Sequence, residues 1–277
     1  MNWWEEQDWI DPDQWLMSGI EIKGTTPSMF WVINVQTHEK GLFKPDSNWR
    51  RSAFSEYAAS KIAAALDIPC ARIEVGNIFG AGGCISIDVR DGYQGHILAA
   101  DNLSRCQGLL NYDESDDANA VYSKPGEMSF MGLLPYLPRQ AEQGLIQMMF
   151  FDAIIGNFGR HLSNFYFTIN AQRAITGLLP LFDQGNAMLS EASRQGGRGR
   201  GYWGWGGQDG SAFPYYGQGG MHRPFPFVDM FECMWEDYPD LLNELFLRAR
   251  TARFEKVLND FDCYNVVMER IDKYQRH

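Results

Sequence analysis

Asn157-Phe158-Gly159-Arg160-His161-Leu162-Ser163-Asn164, with Leu181-Phe182-Asp183-Gln184-Gly185 further on, is the stretch that decides how this chain is read. Phosphoryl transfer asks little covalent chemistry of a protein: an Asn and an Asp hold metal ions against the phosphates, and a separate Asp orients the attacking hydroxyl. Asn164 and Asp183 are the right residue types, in the right order, for the metal roles. The orienting carboxylate is expected two residues before His161, and there the chain has Gly159, which has no side chain. The string points to a fold and disputes its activity.

Upstream, Lys44 lies in Gly41-Leu42-Phe43-Lys44-Pro45, a strand closed by proline, and Glu56 lies in the first turns of a helix expected over Ser55 to Leu66. A strand lysine that reaches phosphates while a helix glutamate holds its ammonium is the ion-pair arrangement of kinase-like folds. Such a pair is weak by itself, because lysines at strand ends and glutamates on helices are common. Its position ahead of Asn164 and Asp183 gives it weight. Earlier still, Lys23-Gly24-Thr25-Thr26-Pro27-Ser28 offers backbone N–H groups and hydroxyls able to fold over phosphates. A single glycine excludes both G-x-G-x-x-G and Walker A patterns, so a surface turn competes with that reading.

The surrounding text is β-rich first and helical later. Phe30 to Val35 carries aromatic and β-branched residues, and with Gly41 to Pro45 predicts two antiparallel strands. Ala58, Ala59, Ile62, Ala63 and Leu66 recur at helical spacing. Short strands are expected at Ala71 to Val75 and Cys84 to Val89, around a Gly-rich turn at Gly80 to Gly83. Arg139 to Ile155 predicts a long helix, apolar on most sides in its second half and therefore buried. Phe227 to Tyr274 reads as helical with a break at Tyr238-Pro239. Asp152, on the buried helix, reads as a cap or hydrogen-bonding anchor and not as a substitute base.

Composition bounds the function. The 277 residues carry a net charge of -11 and a pI near 4.9, which opposes generic attraction to nucleic acid. The glycine-rich segment 196–220, with Arg198, Arg200, Tyr202, Trp203 and Trp205, has the makeup of a single-strand RNA binder, a reading the acidic whole weakens. No apolar run approaches the roughly 20 residues of a spanning helix, so no membrane role is expected. The N-terminus, with Trp3, Trp4, Trp9 and Trp15 among acidic residues, lacks the basic and apolar regions of a secretory signal. It reads as a capping segment packed on the core in preference to a partner-docking arm, and the cytoplasm is the expected location. Asp113 to Asp117 reads as a solvated acidic loop. Five scattered cysteines without a C-x-x-C pair predict free thiols.

At this point the chain resembles the HipA-like serine/threonine kinases, in particular the shorter CtkA-type bacterial branch. The carriers are Leu42-Phe43-Lys44-Pro45, Ser55-Glu56-Tyr57-Ala58-Ala59-Ser60, Phe151-Asp152-Ala153-Ile154-Ile155-Gly156-Asn157, Arg160-His161 with Asn164, Leu181-Phe182-Asp183-Gln184-Gly185-Asn186 and Arg223-Pro224-Phe225. They span roughly Gly41 to Phe225. The resemblance implies that Asn164 and Asp183 bind Mg2+, that Lys44 contacts ATP, that Glu56 positions Lys44, and that Arg160 and His161 brace the loop. It matches the family's phosphate loop at Gly24 and Pro27, while Ser28 stands where a lysine is common. Gly159 replaces the family's catalytic aspartate, a loss that costs about 10²- to 10⁴-fold in rate where a positioned acid or base is removed.

The expected architecture is α+β: a two-lobed, protein-kinase-like fold with a β-rich ATP-binding lobe over residues 1–100 and a helical lobe over 101–277 that carries the catalytic loop, the metal Asp and the Gly-rich segment. Three functions follow. One is a Ser/Thr protein kinase acting on a protein substrate and impaired at Gly159. Another is a nucleotide-binding pseudokinase that works through a regulatory protein partner. The last is an RNA-binding protein motivated by the 196–220 segment alone. Family members often act in toxin–antitoxin systems.

Overall fold

The computed structural model describes residues 8–22, 29–46, 52–91, 96–100, 134–157, 160, 164–185, 187, 227–252, 254 and 263–275. A five-stranded antiparallel sheet fills the first part of the chain. Its strands are β1 (Trp15–Ile22), β2 (Met29–Asn34), β3 (Lys40–Pro45), β4 (Ile73–Ile78) and β5 (Ala81–Ile87), in the order β1-β2-β3-β5-β4. Helix α1 (Ser52–Ala65) packs against β3, β4 and β5. A second, three-stranded sheet is made of β6 (His96–Ala99), β7 (Tyr166–Ile169) and β8 (Ile175–Leu178). Helix α2 (Arg139–Ile155) crosses β8 and is joined by α3 (Phe227–Asp237), α4 (Pro239–Thr251) and α5 (Cys263–Tyr274). Sheet first and helices later is the α+β order that the sequence predicts.

The two strands expected around Phe30 and Lys44 pair antiparallel, with Trp31 opposite Leu42 and Phe30 opposite Phe43. On β5, Cys84 stands opposite Lys44. Gly82 and Gly83, expected in a turn, instead belong to β5, and the turn is reduced to Phe79 and Gly80. Sterics explain this for Gly83: a Cβ there would lie 2.4 Å from the Lys44 carbonyl oxygen. Only glycine lets β3 and β5 approach this closely beside Lys44.

Trp15 also departs from the expectation, because it opens β1 instead of ending a capping arm. Its ring is buried with Ile10, Val32, Phe43, Ile78 and Ile85, and its indole N–H donates to Glu74 Oε2 at 3.0 Å. The preceding residues do pack on the sheet. The Ile10 N–H donates to the Val75 carbonyl at 2.9 Å, and Asp8 accepts from the Tyr57 hydroxyl at 3.0 Å and pairs with Lys61 at 2.7 Å.

The main core surrounds α2. Leu145, Ile146, Met148, Met149, Phe150, Phe151, Ile154 and Ile155 are all buried, as expected for a helix apolar on most sides. Phe150 meets Phe246 edge-on at 5.0 Å, and Trp235 stacks on Phe246 at 5.5 Å. The helix stops at Gly156, whose φ of 65° is left-handed, with Gly156 N–H on Ala153 and Asn157 N–H on Asp152. This reversal is a glycine-dependent C-cap. Arg270, from α5, fills the space a side chain would take: a Cβ on Gly156 would lie 2.0 Å from Nη1, which donates to the Ile154 carbonyl at 3.4 Å. The long helix is thus ended at a defined point, and Asn157 to Asn164 starts from it.

No helix among the described residues is long and apolar enough to cross a membrane. Cys70, Cys84 and Cys233 are free thiols, and burial pushes that of Cys70 up to about 12. The acidic loop at Asp113 to Asp117, the 196–220 segment and Arg223-Pro224-Phe225 lie outside the described residues.

Candidate functional site

Four of the residues singled out in the sequence come together in one hydrogen-bonded chain. β3 brings in Lys44, α1 brings in Glu56, and the segments before β7 and after β8 bring in Asn164 and Asp183. Lys44 Nζ forms an ion pair with Glu56 Oε1 and a second with Asp183 Oδ1 at 2.7 Å. Glu56 Oε2 accepts the Gln184 backbone N–H at 3.0 Å, and Asp183 Oδ2 accepts from Asn164 Nδ2 at 2.7 Å. Helix, sheet and loop are therefore tied at one point.

Burial varies along this chain. Glu56 is fully enclosed and Lys44 is 8% exposed, whereas the Asp183 side chain is 40% exposed to the cleft. Burial opposes the charged form of Lys44, but the carboxylates of Asp183 and Glu56 outweigh it and hold its pKa well above the ordinary lysine value. One ammonium and two carboxylates leave the cluster anionic, which favours a further cation. Asp183 takes a backbone φ of 63°, a left-handed conformation that Asp adopts more readily than most residues and that turns its carboxylate toward Lys44 and Asn164.

The donor set is hard and oxygen-based: the Asp183 carboxylate and the Asn164 amide oxygen. Such a set suits Mg2+, which usually takes one or two protein carboxylates together with phosphates and water. No group of three or more His, Cys, Asp and Glu side chains forms an all-protein metal cage among the described residues.

Arg160 braces the site from beneath. Nε and Nη2 donate to Asp152 at 2.8 and 3.0 Å, and Nη1 donates to the carbonyls of Asn164 at 2.9 Å and Phe182 at 2.7 Å. Asp152 also accepts from Asn157 Nδ2 at 2.9 Å. One buried guanidinium thus spans the end of α2, Asn164 two residues before β7, and Phe182, the residue before Asp183. Asp152 is the anchor that the sequence suggests, and it is spent on Arg160.

Gly24, Thr25, Thr26, Ser28, Gly159 and His161 lie outside the described residues. Sequence reasoning missed the walls of the cleft. A cavity of about 230 Å³ beside the Lys44 chain is walled by Trp31 and Leu42 from the first sheet, Asp88 and Arg90 after β5, and Tyr166 and Phe182 from the second half. Leu42 and Phe182 had a detectable signal, since they flank Lys44 and Asp183 in sequence. Trp31 follows from its cross-strand pairing with Leu42, but Tyr166 and Arg90 reach the cleft through tertiary placement alone.

No sequence-family profile and no curated protein matches the chain. Among solved structures it is similar to the Helicobacter pylori proinflammatory kinase CtkA, with a TM-score of 0.61 and 14% identity over 93% of this chain and 90% of that one. The chain has a kinase-like fold of the CtkA type. A chain of the Shewanella oneidensis HipA, HipB and operator DNA complex matches at a TM-score of 0.48 and 14% identity, over 98% of this chain and 66% of that one. At the identity shared with CtkA, the common property is the fold.

Proposed function

We propose that this kinase-like chain binds a nucleoside triphosphate with Mg2+ in the cleft beside Lys44, as a HipA-like Ser/Thr protein kinase whose phosphoryl transfer is impaired at Gly159. The observation that carries the reading is the Glu56–Lys44–Asp183–Asn164 chain, open to the cleft on its Asp183 side. Lys44, kept cationic by two carboxylates, is suited to a phosphate oxygen. Asp183 and Asn164 would hold the metal, which when bound neutralises charge on the transferring phosphoryl group. Glu56 keeps Lys44 aimed, and Arg160 ties the carbonyl of Asn164 to that of Phe182, the residue before Asp183. A protein hydroxyl is the expected acceptor, a protein partner the expected regulator, and the cytoplasm the expected setting.

Calorimetry with Mg-ATP should show binding that Asp183→Ala abolishes, and labelled-phosphate transfer to a generic protein substrate should rise by about 10²- to 10⁴-fold in Gly159→Asp. Absence of nucleotide binding would sink the reading. Binding without any transfer in Gly159→Asp would favour a second reading, a nucleotide-binding pseudokinase that signals through its partner, for which Gly159 itself is the supporting observation.

A further inference from the structure

The cavity beside Lys44 holds about 230 Å³, less than the roughly 300–1,000 Å³ of pockets that enclose a small ligand. Part of its wall is the side chain of Arg90, on the stretch of chain that leads from β5 to β6 in the second sheet. The Arg90 guanidinium carbon lies 5.4 Å from the centroid of the Trp31 ring on β2 and 5.6 Å from that of Tyr166 on β7. Both distances fall within the roughly 6 Å reach of a cation–π attraction. Arg90 also hydrogen-bonds with the Tyr166 hydroxyl. One side chain therefore spans the two sheets across the cleft.

Asp88 holds this arrangement. Its Oδ1 accepts the Arg90 backbone N–H at 3.0 Å and Nε at 2.7 Å, and its Oδ2 accepts Nη2 at 2.9 Å. The turn that carries both residues is pinned to β3, because the Asp88 N–H donates to the Lys40 carbonyl at 2.9 Å and Asp91 pairs with Lys40 Nζ at 2.6 Å. The Arg90 side chain is 35% exposed, so it can turn toward solvent without burying its charge. A flat base stacks on aromatic faces, and the faces of Trp31 and Tyr166 are where the guanidinium lies. Base and guanidinium compete for the same ground.

We infer that Arg90 is an internal gate: with its side chain across Trp31 and Tyr166 the cleft is shut to the base of a nucleotide, and binding requires the guanidinium to swing out. The inference rests on the nucleotide reading above and adds a control to it. Lys44, Asp183 and Asn164 are bonded to one another and not to Arg90, so the gate acts on the ring and leaves the groups suited to phosphate in place. A closed gate lowers affinity, because only the open fraction of molecules can bind. An open form populated at about 10% or less weakens apparent binding about tenfold or more.

The test is calorimetric titration of the full chain with Mg-ATP and with Mg-triphosphate, which lacks the base, for the wild type and for Arg90→Ala. The variant should bind Mg-ATP about tenfold or more tighter than the wild type and triphosphate no tighter. Loss of a cation by itself weakens binding of an anion, so a gain for Mg-ATP cannot come from charge. Equal or weaker Mg-ATP binding by the variant overturns the inference alone and makes Arg90 a wall or a contact of the nucleotide. A gain of the same size for triphosphate also overturns it, since the ring is then not what Arg90 excludes. If Arg90→Ala does not fold, Asp88→Asn, which releases the guanidinium from its carboxylate, is held to the same outcomes, with triphosphate revealing any gain that comes from the lost negative charge. Binding of Mg-ATP by neither the wild type nor the variant overturns the nucleotide reading and this inference with it.

Discussion

Two ionic clusters lie within a few residues of each other in this molecule, built from the same chemistry to different ends. In the lower one, Arg160 and Asp152 are both fully enclosed, and every nitrogen of the guanidinium is bonded to a carboxylate or a carbonyl. In the upper one, Lys44 is shared by Glu56, which is enclosed, and Asp183, whose side chain is 40% exposed. The first is closed and charge-balanced, so it has nothing left to offer a ligand. The second carries one more negative charge than positive and opens onto a cavity. Burial of a salt bridge is no guide to function by itself; what separates the two is whether the charges and lone pairs are used up.

The sharpest way to break this contrast is to remove one partner from each. Arg160→Met should strand Asp152 in the core, with a cost of about 3–5 kcal/mol that denaturant unfolding would read directly. Asp183→Ala, which leaves Lys44 paired with Glu56, should change stability by less than about 1 kcal/mol while it removes nucleotide binding. If the two variants lose similar stability, the brace and the binding site are one unit and the distinction fails.

A smaller effect is expected at Glu56. Glu56→Gln keeps an acceptor for only one of Lys44 and the Gln184 N–H, turns an amide donor toward the other and removes a charge, and should cost about 1–3 kcal/mol, the range for a buried hydrogen bond to a charged group. The same denaturation experiment reads it, and a variant as stable as the wild type would show that Asp183 alone holds Lys44.

The smallest effect is a pH dependence away from the cleft. Burial raises the Glu74 carboxyl above its ordinary 4.5, with Arg72 and the Trp15 indole opposing. Between 4.5 and the raised value the folded protein binds more protons than the unfolded chain, so stability should fall as pH rises through that window. Glu74→Gln keeps an acceptor for Trp15 and should remove that slope. A slope unchanged in the variant would place the titration elsewhere.

Much of the fold is legible in the residues because it is local. α2 begins and ends where its apolar run and Gly156 place it, and the C-terminal helices break at Tyr238-Pro239 as proline requires. The four-residue strands β6, β7 and β8 were not legible, since segments this short carry no period and exist through pairing between residues 96–99 and 166–169. Trp15 was misplaced for a related reason: whether a tryptophan among acidic residues caps a core or enters it depends on the strand it pairs with.

The sequence by itself determined which charged and amide groups this chain carries and in what order, because Lys44, Glu56, Asn164 and Asp183 are chemical identities that no folding step alters. It also determined that Gly159 carries no side chain. Only the tertiary structure decided which of those charges are spent and which remain open. That outcome depends on distances across segments far apart in the chain: Asp152 is consumed by Arg160, Lys44 is held between two carboxylates, and Arg90 lies over the Trp31 and Tyr166 rings. Hydrogen bonds and ion pairs act over a few ångströms, so their saturation is a property of the folded arrangement.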